Sequence, residues 1–216
     1  MEFLSKVFNI YVERWPWFLS LLAQQLKISL ISVVFAGTIG MAVGIFISEH
    51  RRFREPVMAV CNLFYTIPAI ALIGLLIPLI GIGEKNAIAA IILYGIMPMV
   101  RNTYTGIANI DAGTIDAAVG LGSTKWQLLF RVKLPLAASV ILAGLRNVVV
   151  MSIATGSISA FVGGGGLGEA IFRGITMYNS AMTFAGSLLL VALALICDYL
   201  LSLLEKYIKK KWRTNT

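Results

Sequence analysis

Charge is scarce in this sequence. Of its 216 residues only 13% are Asp, Glu, Lys or Arg, about half the roughly 25% of soluble domains. Histidine occurs once, as His50, and cysteine twice, as Cys61 and Cys197. So small a set, without ligand spacing, supplies neither a disulfide framework nor a metal site, and no metal is expected. Both cysteines lie in apolar runs and read as small hydrophobes, while His50 lies in a basic loop and reads as a solvated surface residue. Ten-residue segments of alternating hydrophobicity are missing too, which excludes a membrane β-barrel.

What is abundant is apolar. The chain is 58% hydrophobic with mean hydropathy +0.86, and several apolar runs approach 20 residues, the length that crosses a bilayer as a helix. The expected class is all-α, a polytopic helical membrane protein with about five transmembrane helices. Residues 1–27 read as an interfacial segment, with Trp15, Pro16, Trp17 and Phe18 placed to lie at the membrane surface. Glu2 and Glu13 interrupt any basic leader, so the first span is expected to stay attached. Spans are expected over 28–47, 57–80, 86–100, 135–162 and 181–201, making a transmembrane domain of 28–201. A basic tail, 202–216, follows. Gly40 and Gly44 form a small-residue seam suited to close helix packing. Pro68 and Pro78 are positioned to kink the second span. The fourth exceeds what a membrane needs and is expected to tilt or break.

The net charge of +8 comes without a basic helix or an aromatic RNA-type motif, so no nucleic-acid partner is expected. Lysine and arginine instead alternate by loop. Twelve fall in 48–56, 101–134 and the tail, against five in the N-terminal segment, 81–85 and 163–180. The richer set belongs in the cytoplasm, which puts the N-terminus outside and the C-terminus inside. Five spans enclose a solute pathway poorly alone, and a two-fold assembly is the simplest remedy.

The longest polar stretch, 101–135, reads as two short helices joined at glycine. Thr114 is a plausible cap for the first, with Asp116 in its opening turn where negative charge suits the helix dipole. Ala117 and Ala118 are strong helix formers that let another backbone approach closely. Gly120 and Gly122 end that helix. Ser123 then caps a second, whose Trp126, Leu129, Phe130 and Leu134 share a face, and Pro135 stops it or starts the next span. A partner groove and a fold-back onto the bundle both account for such a hairpin.

Asp116-Ala117-Ala118, three residues, Gly122, nine residues, then Val132-Lys133-Leu134-Pro135 resembles the EAA loop of ATP-binding cassette (ABC) importer permeases. That pattern is Glu-Ala-Ala, Gly and Ile-x-Leu-Pro at the same intervals, so Asp116 stands for Glu and Val132 for Ile. The resemblance covers about 57–175. Thr66-Ile67-Pro68, Arg101 and the run from Phe161 to Gly168 are similar to permeases for osmoprotectants such as glycine betaine, choline and carnitine, while methionine-importer permeases share a similar glycine run. The resemblance implies that Asp116, Ala117, Ala118, Gly122, Trp126, Leu134 and Pro135 couple the chain to a cytoplasmic ATPase. It also implies a second permease chain, identical or paralogous, an extracytoplasmic substrate-binding protein and a bacterial plasma membrane. The chain itself is then no enzyme and binds no cofactor, ATP and Mg being used by the partner.

Gly163-x-Gly165-x-x-Gly168 formally matches a dinucleotide fingerprint, but a membrane span precedes it instead of a strand, and no Gly-Lys-Ser/Thr follows. Gly163, Gly165 and Gly166 read better as a helix break at the outer end of the pathway, with a plain turn as the alternative. Arg146 lies 11 residues after Pro135, about 16 Å up a helix and so near mid-membrane. It reads equally as a group steering zwitterions by their carboxylate and as a structural partner of nearby carbonyls. Asn147, with Asn62, Tyr65 and Thr66 on the second span, completes the pathway candidates. Asp198, near the inner end of the last span, reads as a snorkelling residue. An ion-driven secondary transporter, the rival class, would more often show intramembrane carboxylates or paired broken helices. Replacing Gly122 with a bulky residue is expected to block solute uptake while membrane insertion stays intact; normal ATP-driven uptake would count against the coupling role.

Overall fold

The computed structural model describes residues 2–213, with side chains through residue 208. All regular structure among the described residues is helical. Among the described residues four helices are long and apolar enough to span a membrane, or five where one bent pair counts as a single span. This agrees with the expected five.

Helix α1 (Glu2–Glu49) runs 48 residues, about 70 Å at 1.5 Å per residue and more than twice a hydrocarbon core. Its helical geometry fails only at Arg14, with φ −122° and ψ 20°. Pro16 lies two residues on, and a ring inside a helix clashes with the preceding turn. The joint expected near residue 27 therefore falls at Arg14, and the backbone passes Lys27 unbroken. Nor is the early segment free of the bundle. Phe18 and Leu21 are fully buried with Ile153, Leu167 and Ala185, and the Tyr11 hydroxyl donates to the Ala185 carbonyl at 2.7 Å.

The expected second span is two helices, α2 (Arg54–Thr66) and α3 (Ala69–Ile80), meeting at 100°. The residue before proline is driven out of the helical region, and Ile67 is extended at ψ 128°. Pro78 lies inside α3 without breaking it, so the bend falls on Pro68 alone. The Ile67 carbonyl exposed by the break accepts the Tyr94 hydroxyl of α4 (Glu84–Ala108). Helix α4 runs past Arg101, longer than 86–100.

Helix α7 (Leu134–Ile158) ends in a 3-10 turn, Ser159–Val162, which takes up the excess length of the fourth span. The stretch 163–180, read as a loop, contains a further helix, which we number α8 (Gly168–Thr176). It packs on the last, α9 (Ser180–Arg213), where a Cβ added to Gly186 would come within 2.9 Å of the Ala170 Cβ. Lys209, Lys210, Lys211, Trp212 and Arg213 of the basic tail have side chains outside the described residues.

The bundle closes on the expected glycine seam. A Cβ on Gly40 would sit 2.6 Å from the Met99 Cβ, and one on Gly44 2.6 Å from the Thr103 Cβ. Met99 and Thr103 stand one turn apart on α4, so α1 and α4 lie almost backbone to backbone. Such overpacking costs about 1–3 kcal/mol per site. Gly44→Leu is expected to lower the melting temperature in detergent by several degrees. Gly74→Ala, where an added Cβ meets nothing within 4 Å, is expected to leave it unchanged.

Candidate functional site

The polar segment folds as two short helices at a glycine joint, with the first cap three residues before its expected place and the second one residue after. Asp111, not Thr114, caps α5 (Ala112–Gly120): its Oδ2 accepts the Thr114 N–H at 2.9 Å. A carboxylate there meets both the orphan donors and the helix dipole. Thr124, not Ser123, caps α6 (Lys125–Gln127), because Gln127 completes a capping box. Gln127 N–H donates to Thr124 Oγ1 at 3.3 Å and Thr124 N–H to Gln127 Oε1 at 2.9 Å. Between the helices Gly122 is left-handed at φ +83°. The Ser123 N–H reaches back to the Ala118 carbonyl at 3.2 Å, closing α5 in the glycine-dependent manner.

Helix α6 does not stop at Pro135. It widens into a π-turn, Leu128–Lys133, and continues as α7. The wider turn lies where the proline lacks a backbone donor. The second polar helix and the fourth span therefore form one rod. Its free end carries Trp126, 72% exposed and stacked on Phe130 at 5.8 Å between centroids, with Leu121 88% exposed beside the joint. Asp116, Ala117 and Gly122 are exposed with them, and Ala118 is half-buried. Leu134 and Pro135 are separated from this group: both are half-buried, and Leu134 packs on the cluster containing Ala36, Met99 and Ala137. Lys133, 14% exposed, pairs with Glu49 at 2.5 Å and fastens the rod to the end of α1. An open cleft of about 530 Å³ lies there, lined by Glu49, His50, Lys125, Trp126, Leu128 and Leu129. His50 is exposed, as expected, and stacks on Phe46 at 4.7 Å.

Further along the rod, three of the pathway candidates converge. Tyr65, Arg146 and Asn147 line a cleft of about 470 Å³ together with Pro98, Met151 and Asp198. Asp198 does not snorkel. It holds Arg146 in a two-pronged ion pair, with Nε 2.5 Å from Oδ1 and Nη2 2.6 Å from Oδ2. Glu205 Oε2 stands 3.9 Å from Nη1. A charge facing lipid at mid-span costs about 2.5–3.5 kcal/mol on insertion scales; a carboxylate partner and an open cleft on one side relieve that cost. Both charged side chains are about a third exposed, 34% for Arg146 and 33% for Asp198.

The remaining candidates lie elsewhere. Asn62 and Thr66 are exposed on α2 but do not line this cleft, and the Thr66 hydroxyl donates to its own helix at the Leu63 carbonyl, 2.9 Å away. Gly163, Gly165 and Gly166 form a tight left-handed turn at φ +71°, +76° and +79°. Only Gly163 is exposed. A Cβ on Gly165 would come within 2.8 Å of Gln24 Oε1, and one on Gly166 within 2.5 Å of Gln25 Oε1. The Gly166 N–H donates to Gln24 Oε1 at 3.2 Å, and buried Gln25 donates to the Ile153 carbonyl at 3.4 Å. Gly165 and Gly166 thus sit in a turn packed against α1. The adjacent glutamines, absent from the candidates, were visible as a polar pair entering an apolar run.

Known proteins share this chain's sequence pattern and fold. The family model described as "binding-protein-dependent transport system inner membrane component" matches residues 36–214. The glycine betaine/carnitine/choline transport system permease protein OpuCD of Bacillus subtilis is 38% identical over 98% of this chain and 94% of its own length. The carnitine transport permease protein OpuCD of Listeria monocytogenes is 34% identical over 95% and 93%. An inward-facing structure of the MetNI methionine ABC transporter superposes with a TM-score of 0.84 over 91% of this chain and 98% of that one, at 23% identity, and so shares the fold. The chain belongs to the binding-protein-dependent transport system inner membrane components and is a permease subunit of an ABC importer.

Proposed function

We infer that this permease imports quaternary ammonium osmoprotectants of the glycine betaine, choline and carnitine type across a bacterial plasma membrane. One observation carries the coupling half of this reading: the exposed Trp126–Phe130 face sits on the same continuous rod that carries Arg146. A force applied at the docking face reaches mid-membrane without crossing a loop. The solute class is supported by the transport names of the Bacillus and Listeria relatives and by a cleft with paired charge and an aromatic ring.

In this reading Asp116, Ala117, Ala118, Gly122 and Trp126 form the surface that a cytoplasmic ATPase grips, and Leu134 and Pro135 anchor its root. The ATPase supplies ATP and Mg chemistry, and this chain binds no cofactor of its own. A second permease chain, identical or paralogous, completes the pathway, and an external binding protein delivers solute to it. The N-terminus lies outside and the tail lies in the cytoplasm, following the arginine and lysine bias. ATP-driven closure of the ATPases shifts the rod and switches the pathway from inward- to outward-facing.

Two outcomes are expected. Trp126→Ala should weaken co-purification of the ATPase by about tenfold or more, the scale of an aromatic anchor at an interface, while the melting temperature of the permease stays unchanged. In cells that depend on this transporter, labelled glycine betaine uptake should be ATP-dependent, competed by choline and carnitine and unaffected by methionine. Uptake driven by an ion gradient without an ATPase would instead establish a secondary transporter.

A further inference from the structure

The cleft raises a problem that its own geometry resolves. An arginine alone on a solute pathway attracts the carboxylate of a zwitterion but repels a plain cation such as choline. In the structure Arg146 is not alone. Asp198, 52 residues away on α9, faces it squarely and takes the Nε and Nη2 edge at 2.5 and 2.6 Å. A guanidinium has five N–H donors, so this pairing leaves both Nη1 hydrogens and one on Nη2. Glu205 Oε2 stands 3.9 Å from Nη1, a longer ion pair that places a second negative charge beside the guanidinium. A solute carboxylate can therefore meet Nη1 without displacing Asp198.

The same cleft offers a cation something else. Tyr65 is 45% exposed and lies edge-on to Tyr94, with centroids 6.2 Å apart at 61°. Tyr94 is in turn fixed by its hydrogen bond to the Ile67 carbonyl. The Tyr65 ring is thus held at the bend of the broken span and on the cleft wall. Quaternary ammonium groups bind aromatic faces through the ring quadrupole, and this attraction survives only where no uncompensated positive charge stands close by.

We propose that Asp198 is a specificity-determining residue of the pathway. It positions the Arg146 guanidinium and cancels its charge, so that the cleft accepts trimethylammonium solutes with or without a carboxylate. Zwitterions use Arg146 Nη1 and the Tyr65 ring together, and cations use the ring beside a guanidinium whose charge Asp198 and Glu205 compensate. Asn147, exposed on the same wall, is the neighbouring position from which the charge of the cleft can be changed while the pair stays intact. The inference rests on the osmoprotectant reading above.

The test compares initial uptake of labelled choline and labelled glycine betaine by the full transporter in cells, normalised to permease in the membrane. Asp198→Asn removes one negative charge from beside Arg146, leaving the more distant Glu205, and is expected to lower the choline-to-betaine ratio by about tenfold or more, the scale of one charge a few ångströms away. Asp198→Glu should restore the ratio. Asn147→Asp should move it the other way, towards choline. A purely structural pair predicts equal losses for both solutes in Asp198→Asn and an unmoved ratio in Asn147→Asp, and that result overturns the proposal. Where Asp198→Asn fails to reach the membrane, Asn147→Asp decides: a raised ratio supports the proposal and an unchanged one overturns it. Uptake of neither solute by the unaltered transporter overturns the osmoprotectant reading itself, whereas uptake of both with unchanged ratios in the variants overturns only the role of Asp198.

Discussion

Inside a bilayer, a backbone or charged group that finds no partner within the protein finds none at all. Most of the irregular features of this fold are answers to that constraint. At the α2–α3 break Pro68 forces Ile67 out of the helix, and Tyr94 supplies a hydroxyl for the carbonyl that the break exposes. At the glycine turn Gln24 accepts the Gly166 N–H. On the rod, Arg146 is matched by Asp198. Each irregularity is stitched to a different helix, so the points that depart from regular geometry also hold the bundle together.

The regular parts follow another rule. Lipid offers no hydrophobic reward for helix association, so close contact must supply the cohesion. The Gly40–Gly44 seam against Met99 and Thr103 provides it, and Gly95 against Ala36 extends the same approach, with an added Cβ only 2.8 Å from that of Ala36. A tightly joined α1–α4 pair gives the α6–α7 rod a firm support. The rod is fastened to that support at its root, through Lys133 to Glu49 and through Leu134 on the Ala36–Met99 cluster. The exposed Trp126–Phe130 face and the polar cleft thus share one rod with a fixed root.

Much of this was legible in the sequence, because long apolar runs and residue chemistry at short range are local signals. Five spans, the glycine seam and the glycine-jointed hairpin could each be read within a window of a few turns. The shifted caps show the limit of even local reading: Asp111 and Thr124 prevail over Thr114 and Ser123 because the partners Thr114 N–H and Gln127 happen to be in register. Two prolines of the second span look alike in sequence, yet only Pro68 breaks it, since Pro78 falls near the end of α3, where little helix remains to redirect. Helix α8 was hidden by its brevity and its glycines. The pairing of Arg146 with Asp198 was hidden by distance along the chain, since neither residue alone announces the other. Read alone, Arg146 stays open between two roles and Asp198 reads as a snorkelling residue.

The π-turn at Leu128–Lys133 fixes the angular phase of the rod. Each residue advances an α-helix by about 100°, so the one residue that a π-turn accommodates rotates everything beyond it by roughly a quarter turn or more. Trp126 and Phe130 on one side of the turn, and Arg146 and Asn147 on the other, are therefore clocked relative to one another by this single local widening. The direction in which the Trp126 end faces is set independently of the direction in which the Arg146 end faces, and the two surfaces can be re-aimed without altering the side chains of either.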